Sequence, residues 1–281
     1  MKKPKTLYVS DLDGTLLSTD SHISQRSSEI ISDLTAQGAL ITVATARTPA
    51  TVVPLLANTR TAAPAIVMTG CAMWNRTNAS FEHYHFIPEA DIVAALDCCR
   101  RLGVHPFTYT MAPDGSTLDV YHEAVAFNPQ EEKFYFERRH LALKRFHLGT
   151  PAPHAAIINT MLCFAMGPKE SICRAAVEVQ AHTACSLCCY PDIFNNDIYN
   201  LEIFPEGVNK ASAILYLKMK LGADRLVVFG DNLNDLPMLA AADVAIAVEN
   251  AFPEVKKAAD IVIGPNYSDA VARFIEKDFI G

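Results

Sequence analysis

Asp11 and Asp13, within Asp11-Leu12-Asp13-Gly14-Thr15-Leu16, are two carboxylates separated by one residue, directly after the apolar run Thr6 to Ser10. A pair so placed can divide the work of nucleophile and general acid or base when its surroundings separate the two proton affinities. Gly14 lets the chain turn away sharply. The same residues also suit a plain Asp-Gly turn between strands, and the motif alone leaves both readings open. A calcium loop is excluded: counted from Asp11, Leu16 and His22 stand where such a loop needs Gly and Glu.

A second group, Gly230-Asp231-Asn232-Leu233-Asn234-Asp235, again follows a short apolar run. Oxygen ligands of this kind suit Mg²⁺, which takes one or two carboxylates and fills its other positions with water and substrate phosphate. Asp231 is the candidate ligand and Asp235 an auxiliary carboxylate; an Asn/Asp helix start is the plainer alternative. Thr45-Ala46-Arg47 and Lys210 add a hydroxyl, helix-start amides and an ammonium, the groups that recognise a phosphate dianion. Singly, the Thr is equally a capping residue and the Lys a solvated charge.

The elements that must position these residues alternate short apolar runs with amphipathic segments, the rhythm of a parallel sheet covered by helices. Strands are expected at Thr6 to Ser10, Ala39 to Ala44 and Ala65 to Met68, with helices at Ser24 to Gln37 and Thr51 to Ala57. The last third repeats the pattern: helix Asn209 to Leu221, strand Leu226 to Phe229, helix Asp235 to Ala241, strand Val244 to Ala247 and a helix from Pro253. In an open parallel sheet, ligands bind beyond the carboxyl ends of the strands, and every chemical candidate falls at a strand end or, for Lys210, at a helix start. Between the halves, from about His83 to Glu202, the rhythm changes. Strands Phe107 to Met111 and Thr160 to Ala165, with helices Pro88 to Leu102 and Pro168 to His182, read as an inserted second domain.

Bulk properties agree with two domains. The chain has 281 residues, half of them apolar, and a formal charge of −7, so a single core is not expected and a nucleic-acid partner is disfavoured. The basic start Met1-Lys2-Lys3-Pro4-Lys5 is followed by too short an apolar run for an export signal. With no apolar stretch long enough for a membrane helix, a soluble, cytoplasmic protein is expected, without a membrane partner. Cys185, Cys188 and Cys189 have metal-like spacing, but a second pair is missing, and the thiols read as packing groups. His83 and His85 share a face of an expected strand and read as surface positions. Arg138, Arg139, Lys144 and Arg145 read as a solvated helix face, and Trp74 as packing. Oligomeric state is not legible.

The four chemical segments, in this order and each at a strand end or helix start, resemble the haloacid dehalogenase superfamily of phosphatases. Asp11-Leu12-Asp13-Gly14-Thr15 matches its first motif, Thr45 its second, Lys210 its third, and Gly230-Asp231 with Asn234-Asp235 its fourth. Leu201-Glu202-Ile203 and Gly207-Val208-Asn209-Lys210 are similar to the Cof-type sugar-phosphate phosphatases. The resemblance implies a Rossmann-like, doubly wound α/β core formed by residues 1–82 and 203–281, with an α/β cap at 83–202 that sets substrate specificity.

It also implies an Mg²⁺-dependent phosphatase of small phosphorylated metabolites. Asp11 would become an aspartyl-phosphate and Asp13 would serve as general acid and base. Asp11, the Asp13 carbonyl and Asp231 would hold the metal, and Lys210, Thr45, Asn234 and the amides of Leu12 and Ala46 the phosphate. Asp235 and Arg47 would be auxiliary. Two departures from the family pattern are Ala46, where Thr-Gly-Arg is common, and Gly70-Cys71, where Asn-Gly is common. Asp13 disfavours a dehalogenase; a phosphomutase or phosphotransferase of the same fold and a non-enzymatic phosphoryl-ligand module are the alternatives. Hexose phosphates, other sugar phosphates, flavin mononucleotide and pyridoxal phosphate all fit the resemblance.

Overall fold

The computed structural model describes residues 3–192, 195 and 197–281, so Met1 and Lys2 of the basic N-terminal stretch lie outside the described residues. The first segment runs β1 (Thr6–Ser10), α1 (Gln25–Ala36), β2 (Leu40–Val43), α2 (Pro49–Leu55), β3 (Ala65–Val67), β4 (Ala72–Asn75) and β5 (Ser80–Glu82). The middle holds α3 (Glu89–Arg101), β6 (Phe107–Met111), β7 (Leu118–His122), α4 (Pro129–Arg138), β8 (Lys144–Leu148) and α5 (His154–Ile157). It continues with β9 (Thr160–Pro168), α6 (Lys169–His182), β10 (Ser186–Pro191) and β11 (Ile198–Phe204). The last segment holds α7 (Lys210–Leu221), β12 (Arg225–Gly230), α8 (Leu236–Ala240), β13 (Val244–Val248), α9 (Pro253–Ala258), β14 (Ile261–Ile263) and α10 (Ala270–Ile280).

The chain divides into two compact units, residues 1–82 with 209–281 and residues 83–208. The second junction falls after Val208 and not at the expected 202/203, because β11 pairs with β9 and β10 as far as Phe204 opposite Ser186. Among the described residues no helix is long and apolar enough to cross a membrane.

In the first unit the main sheet has the order β14-β13-β12-β1-β2, all parallel, and β3 joins it through the Ala44–Ile66 bridge. Leu7, Tyr8 and Val9 of β1 and Leu226 to Phe229 of β12 are at most 1% exposed. Such unbroken apolar runs are what a sheet covered on both faces needs. Ser10 stands opposite both Phe229 and Val43, so β1, β2 and β12 end side by side and the residues that follow them converge.

Local chemistry sets the helix limits. The Ser24 hydroxyl accepts the amide of Ser27 at 2.9 Å, as an N-cap does. Ile31 and Leu34 of α1 are buried, and the chain leaves the helix at Gly38 with φ +98°. The β4–β5 hairpin was not expected from sequence, since its loop Arg76-Thr77-Asn78-Ala79 lacks glycine. The Asn75 carboxamide oxygen substitutes by accepting the amides of Thr77 and Asn78 at 2.9 and 3.1 Å. Trp74 on β4 is buried edge-on against Phe81, with ring centroids 5.0 Å apart.

The second unit is built on a six-stranded sheet, β10-β11-β9-β6-β7-β8, antiparallel except for the β7–β8 pair, whose crossover is α4. α3 and α6 cover the face that carries Cys163, Ala165, Leu201 and Ile203. Alternation puts Phe107 and Phe164 on the opposite face, where Phe134 of α4 packs at 5.0 and 5.3 Å between ring centroids. Two expectations for this unit change. His83 and His85 are not in a strand; His83 adopts φ +44°, and the rings meet edge-on at 4.8 Å. Lys144 is not on a helix face but buried on β8. Cys185 packs into the core of this unit, and all eight cysteines are free thiols.

After β3 the chain turns through Met68, Thr69 and Gly70 at φ +53°, +59° and +98°. A Cβ on Gly70 would lie 2.3 Å from the carbonyl oxygen of Asn209, the N-cap of α7. Gly70→Ala is therefore expected to lower stability by about 3 kcal/mol through backbone strain and overlap. Chemical denaturation checks this, and an unchanged midpoint would contradict the close approach.

Candidate active site

The turn after β1 is set by Gly14 at φ +75°, with Leu17 N bonded to Leu12 O at 2.8 Å. A side chain at Gly14 would meet Asp231 Oδ2 at 2.3 Å, so two loops from different strands touch where only glycine fits. Thr15 donates its hydroxyl to Asp231 Oδ1 at 2.7 Å, tying the loops together.

Lys210, first residue of α7, reaches between them. Its Nζ lies 2.7 Å from Asp11 Oδ1 and 2.8 Å from Asp235 Oδ1, and all three side chains are at least nine-tenths buried. An ammonium in the first turn of a helix opposes the helix dipole, so the two carboxylates hold it there against that field. Asp235 uses its other oxygen to accept the amides of Asp231 and Asn232 at 3.0 and 3.1 Å. Both of its oxygens are thus engaged in orienting Lys210 and the β12 loop.

Carboxylate oxygens of Asp11, Asp231 and Asp235 lie within 4.8 Å of one another. With Lys210 the group sets three carboxyls against one ammonium in a largely dry place. Burial works against the Lys210 charge, but Asp11 and Asp235 outweigh it and raise its pKa. Burial drives Asp11 well above the usual carboxylate range, Lys210 opposing and Asp235 adding to the rise. Asp231 is pushed up to about 6, first by burial and then by Asp235, while Thr15 and Lys210 oppose. The surplus of carboxyls over ammonium is what a divalent cation would compensate, and an all-oxygen donor set fits Mg²⁺. Asp11, Asp231 and Asp235 could hold such an ion, Asp235 having both oxygens already engaged.

Asp13 stands apart from this cluster. Arg47 grips it from both sides, Nε to Oδ2 at 2.7 Å and Nη2 to Oδ1 at 2.5 Å, while the Asp13 side chain stays half exposed. Asp13 is the first cause of the raised Arg47 pKa. Thr45 is 1% exposed, and its hydroxyl accepts the Arg47 amide at 3.2 Å. Leu12 and Ala46 follow the ends of β1 and β2 beside it. Asn234 is exposed on the turn Leu233–Asp235 and has no hydrogen bond to the cluster among the described residues.

Sequence reasoning missed Asn250 and Asn266. Asn250 donates to Gly14 O at 2.7 Å and accepts the Asn266 amide at 2.9 Å, while Asn266 donates to Leu17 O at 2.7 Å. They fix the β1 loop from the far side of the sheet order. Asn250 lies three residues past the expected strand Val244 to Ala247, and its position beyond a parallel strand end was the available signal.

Haloacid dehalogenase-like hydrolases match this chain over residues 8–275. The chain belongs to that family. Among curated relatives of this haloacid dehalogenase-like hydrolase, the HMP-PP phosphatase of Serratia proteamaculans is 26% identical over 273 residues, covering 95% of this chain and 92% of that one. The 5-amino-6-(5-phospho-D-ribitylamino)uracil phosphatase YitU of Bacillus subtilis is 23% identical over 292 residues, covering 99% of each. A solved haloacid dehalogenase-like hydrolase from Bacteroides thetaiotaomicron superposes with TM-score 0.78 at 24% identity, covering 98% of this chain and 99% of that one. The subclass IIB sugar phosphatase BT4131 superposes with TM-score 0.71 at 20% identity, covering 97% and 98%. These structures share the α/β fold.

The raised Asp231 value sets a pH dependence. An acid with pKa about 6 when folded, against 3.8 ordinarily, binds its proton more tightly in the folded state, so stability falls as pH rises through that interval. The metal-free hydrolase is expected to lose thermal stability over this range, and Asp231→Asn to lose less. At neutral pH, Mg²⁺ should raise the Tm of the wild type more than that of the variant. Parallel melting curves for the two proteins in EDTA would contradict the surplus of carboxyls.

Proposed function

We propose that this chain is a magnesium-dependent phosphatase of small phosphorylated metabolites, sugar phosphates foremost, working through an aspartyl-phosphate on Asp11. The observation that carries the reading is the buried Asp11–Lys210–Asp235 contact beside Asp231, at the carboxyl ends of parallel strands. The full-length phosphatase relatives support the substrate class. A cytoplasmic location is part of the same proposal, supported by eight free thiols. The inserted unit is assigned the choice of substrate.

In the first step an Asp11 carboxylate oxygen attacks phosphorus, the bond from phosphorus to the ester oxygen breaks, and Asp13 gives that oxygen a proton. In the second, Asp13 takes a proton from water, the water oxygen attacks phosphorus, and the bond to Asp11 breaks to release phosphate. A bound Mg²⁺, held by Asp11, Asp231 and the Asp13 carbonyl, would supply the positive charge that lets an anionic nucleophile approach an anionic phosphate. Lys210 orients Asp11 and adds a donor for the phosphoryl oxygens, with Thr45, Asn234 and the amides of Leu12 and Ala46 as further donors. Positioned charge of this kind dominates phosphoryl transfer. Arg47 holds Asp13 by both oxygens, the arrangement of a carboxylate. Proton donation therefore requires Arg47 to release one of them, whereas the base of the second step is already in place.

Phosphate release from an aryl phosphate is expected with Mg²⁺, to cease in EDTA, and to fall to the blank in Asp11→Asn with the fold retained by circular dichroism. Substantial Mg²⁺-dependent turnover by that variant would remove Asp11 as nucleophile. A panel of phosphorylated metabolites with the same blank identifies the substrate. Asp13→Ala should lose about 10²–10⁴-fold on alkyl esters, which need leaving-group protonation, and less on activated aryl phosphates. Equal losses on both classes would count against the acid role.

A further inference from the structure

The turn after β1 carries the carbonyls of Asp11, Leu12, Asp13 and Gly14 in succession. Those of Asp11 and Leu12 accept the amides of Leu16 and Leu17 at 3.3 and 2.8 Å, and that of Gly14 accepts Asn250 Nδ2 at 2.7 Å. Among the described residues the Asp13 carbonyl accepts no hydrogen bond. Asn250 stands on the loop between β13 and α9, and β12 lies between β13 and β1 in the sheet. At the usual strand spacing the backbones of β13 and β1 are about 10 Å apart, so only a side chain crossing the end of β12 can join them. Two residues further on, the Phe252 amide donates to the Asp231 carbonyl at 2.9 Å. The β13 loop therefore holds both the β1 loop and the β12 loop, which the Thr15 hydroxyl links again through Asp231 Oδ1.

The Asn250 carboxamide has one orientation. The Asn266 amide can only donate, so Asn250 Oδ1 faces it at 2.9 Å and Nδ2 is left for the Gly14 carbonyl. An aspartate in the same place could accept from Asn266 but could not donate to Gly14. The Lys210 bridge does not do this work. It fixes the Asp11 carboxylate and, through Asp235, the amides of Asp231 and Asn232. The Asp13 carbonyl belongs to the peptide joined to Gly14, which sits at φ +75° and has the least conformational restraint of its own. With the Leu12 carbonyl held on one side and the Gly14 carbonyl on the other, that peptide cannot rotate freely.

We propose that Asn250 is a positioning residue for the divalent cation. By holding Gly14 while Phe252 holds Asp231, it keeps the Asp13 carbonyl and the Asp231 carboxylate at one spacing before any metal arrives. This role rests on the magnesium reading of the site. Groups that orient metal ligands without touching the metal commonly change its affinity by about 10–100-fold when removed. Asn250 itself is exposed, so replacing it removes hydrogen bonds and little packing.

Mn²⁺ titrated into the substrate-free full chain, followed by loss of the free ion's electron paramagnetic resonance signal and reversed by Mg²⁺, reads affinity without turnover. Asn250→Ala and Asn250→Asp are expected to bind about tenfold more weakly than the wild type, or weaker still. Asn250→Asp is the deciding variant, because charge and position pull in opposite directions. An added carboxylate attracts a nearby cation, whereas loss of the bond to Gly14 works against binding. Binding by Asn250→Asp as tight as that of the wild type, or tighter, overturns the proposal. So does an Asn250→Ala protein whose Tm in EDTA falls while its Mn²⁺ affinity stays at the wild-type value, the behaviour of a purely structural tie. A wild type that binds neither ion removes the magnesium reading and this role together. A wild type that binds, with variants that bind equally well, removes this role alone.

Discussion

One ammonium, that of Lys210, holds the chemical centre of the first unit together. It bridges Asp11 from the N-terminal strand and Asp235 from the last third of the chain, both within 2.8 Å and all out of water. Such a bridge is not a source of net stability, since removing three charges from solvent costs about what their attraction returns. Its effect is geometric. Asp235 is held by the amides of Asp231 and Asn232 on one side and by Lys210 on the other, so the β12 loop can take only one position relative to Asp11. Gly14 and Gly70 make that position reachable by letting backbone and carboxylate come closer than any side chain allows.

The same economy explains the surplus of carboxyls. One cation faces three carboxylates, and the protein leaves the surplus uncompensated exactly where the strands of a parallel sheet end. Burial then raises Asp231 and Asp11, a strained state for a metal-free protein and a ready one for a divalent cation. Asp13 is built differently. Its pairing with the Arg47 fork keeps it half in solvent and away from the other carboxylates. Two acids two residues apart thus sit in opposite environments, the condition under which neighbouring carboxylates take different tasks.

The core was largely legible because its elements announce themselves. β1, β2, β3 and β12 are dominated by apolar residues, α1 has its serine cap and glycine exit, and the chemical residues stand after strand ends or at a helix start. What periodicity could not show lies in pairings between distant segments. The Asn250 and Asn266 side chains act on Gly14 and Leu17 more than 230 positions away, and nothing local marks them. The fork between Arg47 and Asp13 is of the same kind. Each residue was singled out, but their union depends on β1 and β2 being neighbours.

The inserted unit was harder for a physical reason. Its strands β7 and β8 mix polar and apolar residues because each face meets a different layer: Asp119, Arg145 and His147 on one side, Val120, Phe146 and Lys144 on the other. Read linearly, Lys144-Arg145 looks like a pair of surface cations beside Arg138 and Arg139. Alternation separates them, sending Arg145 to an exposed ion pair with Asp119 and Lys144 inward among rings. A single basic stretch therefore yields one paired charge and one unpaired charge. The sheet's two-residue period, invisible until its register is known, converts an unremarkable run into the one place in this unit where a buried cation lacks its anion among the described residues.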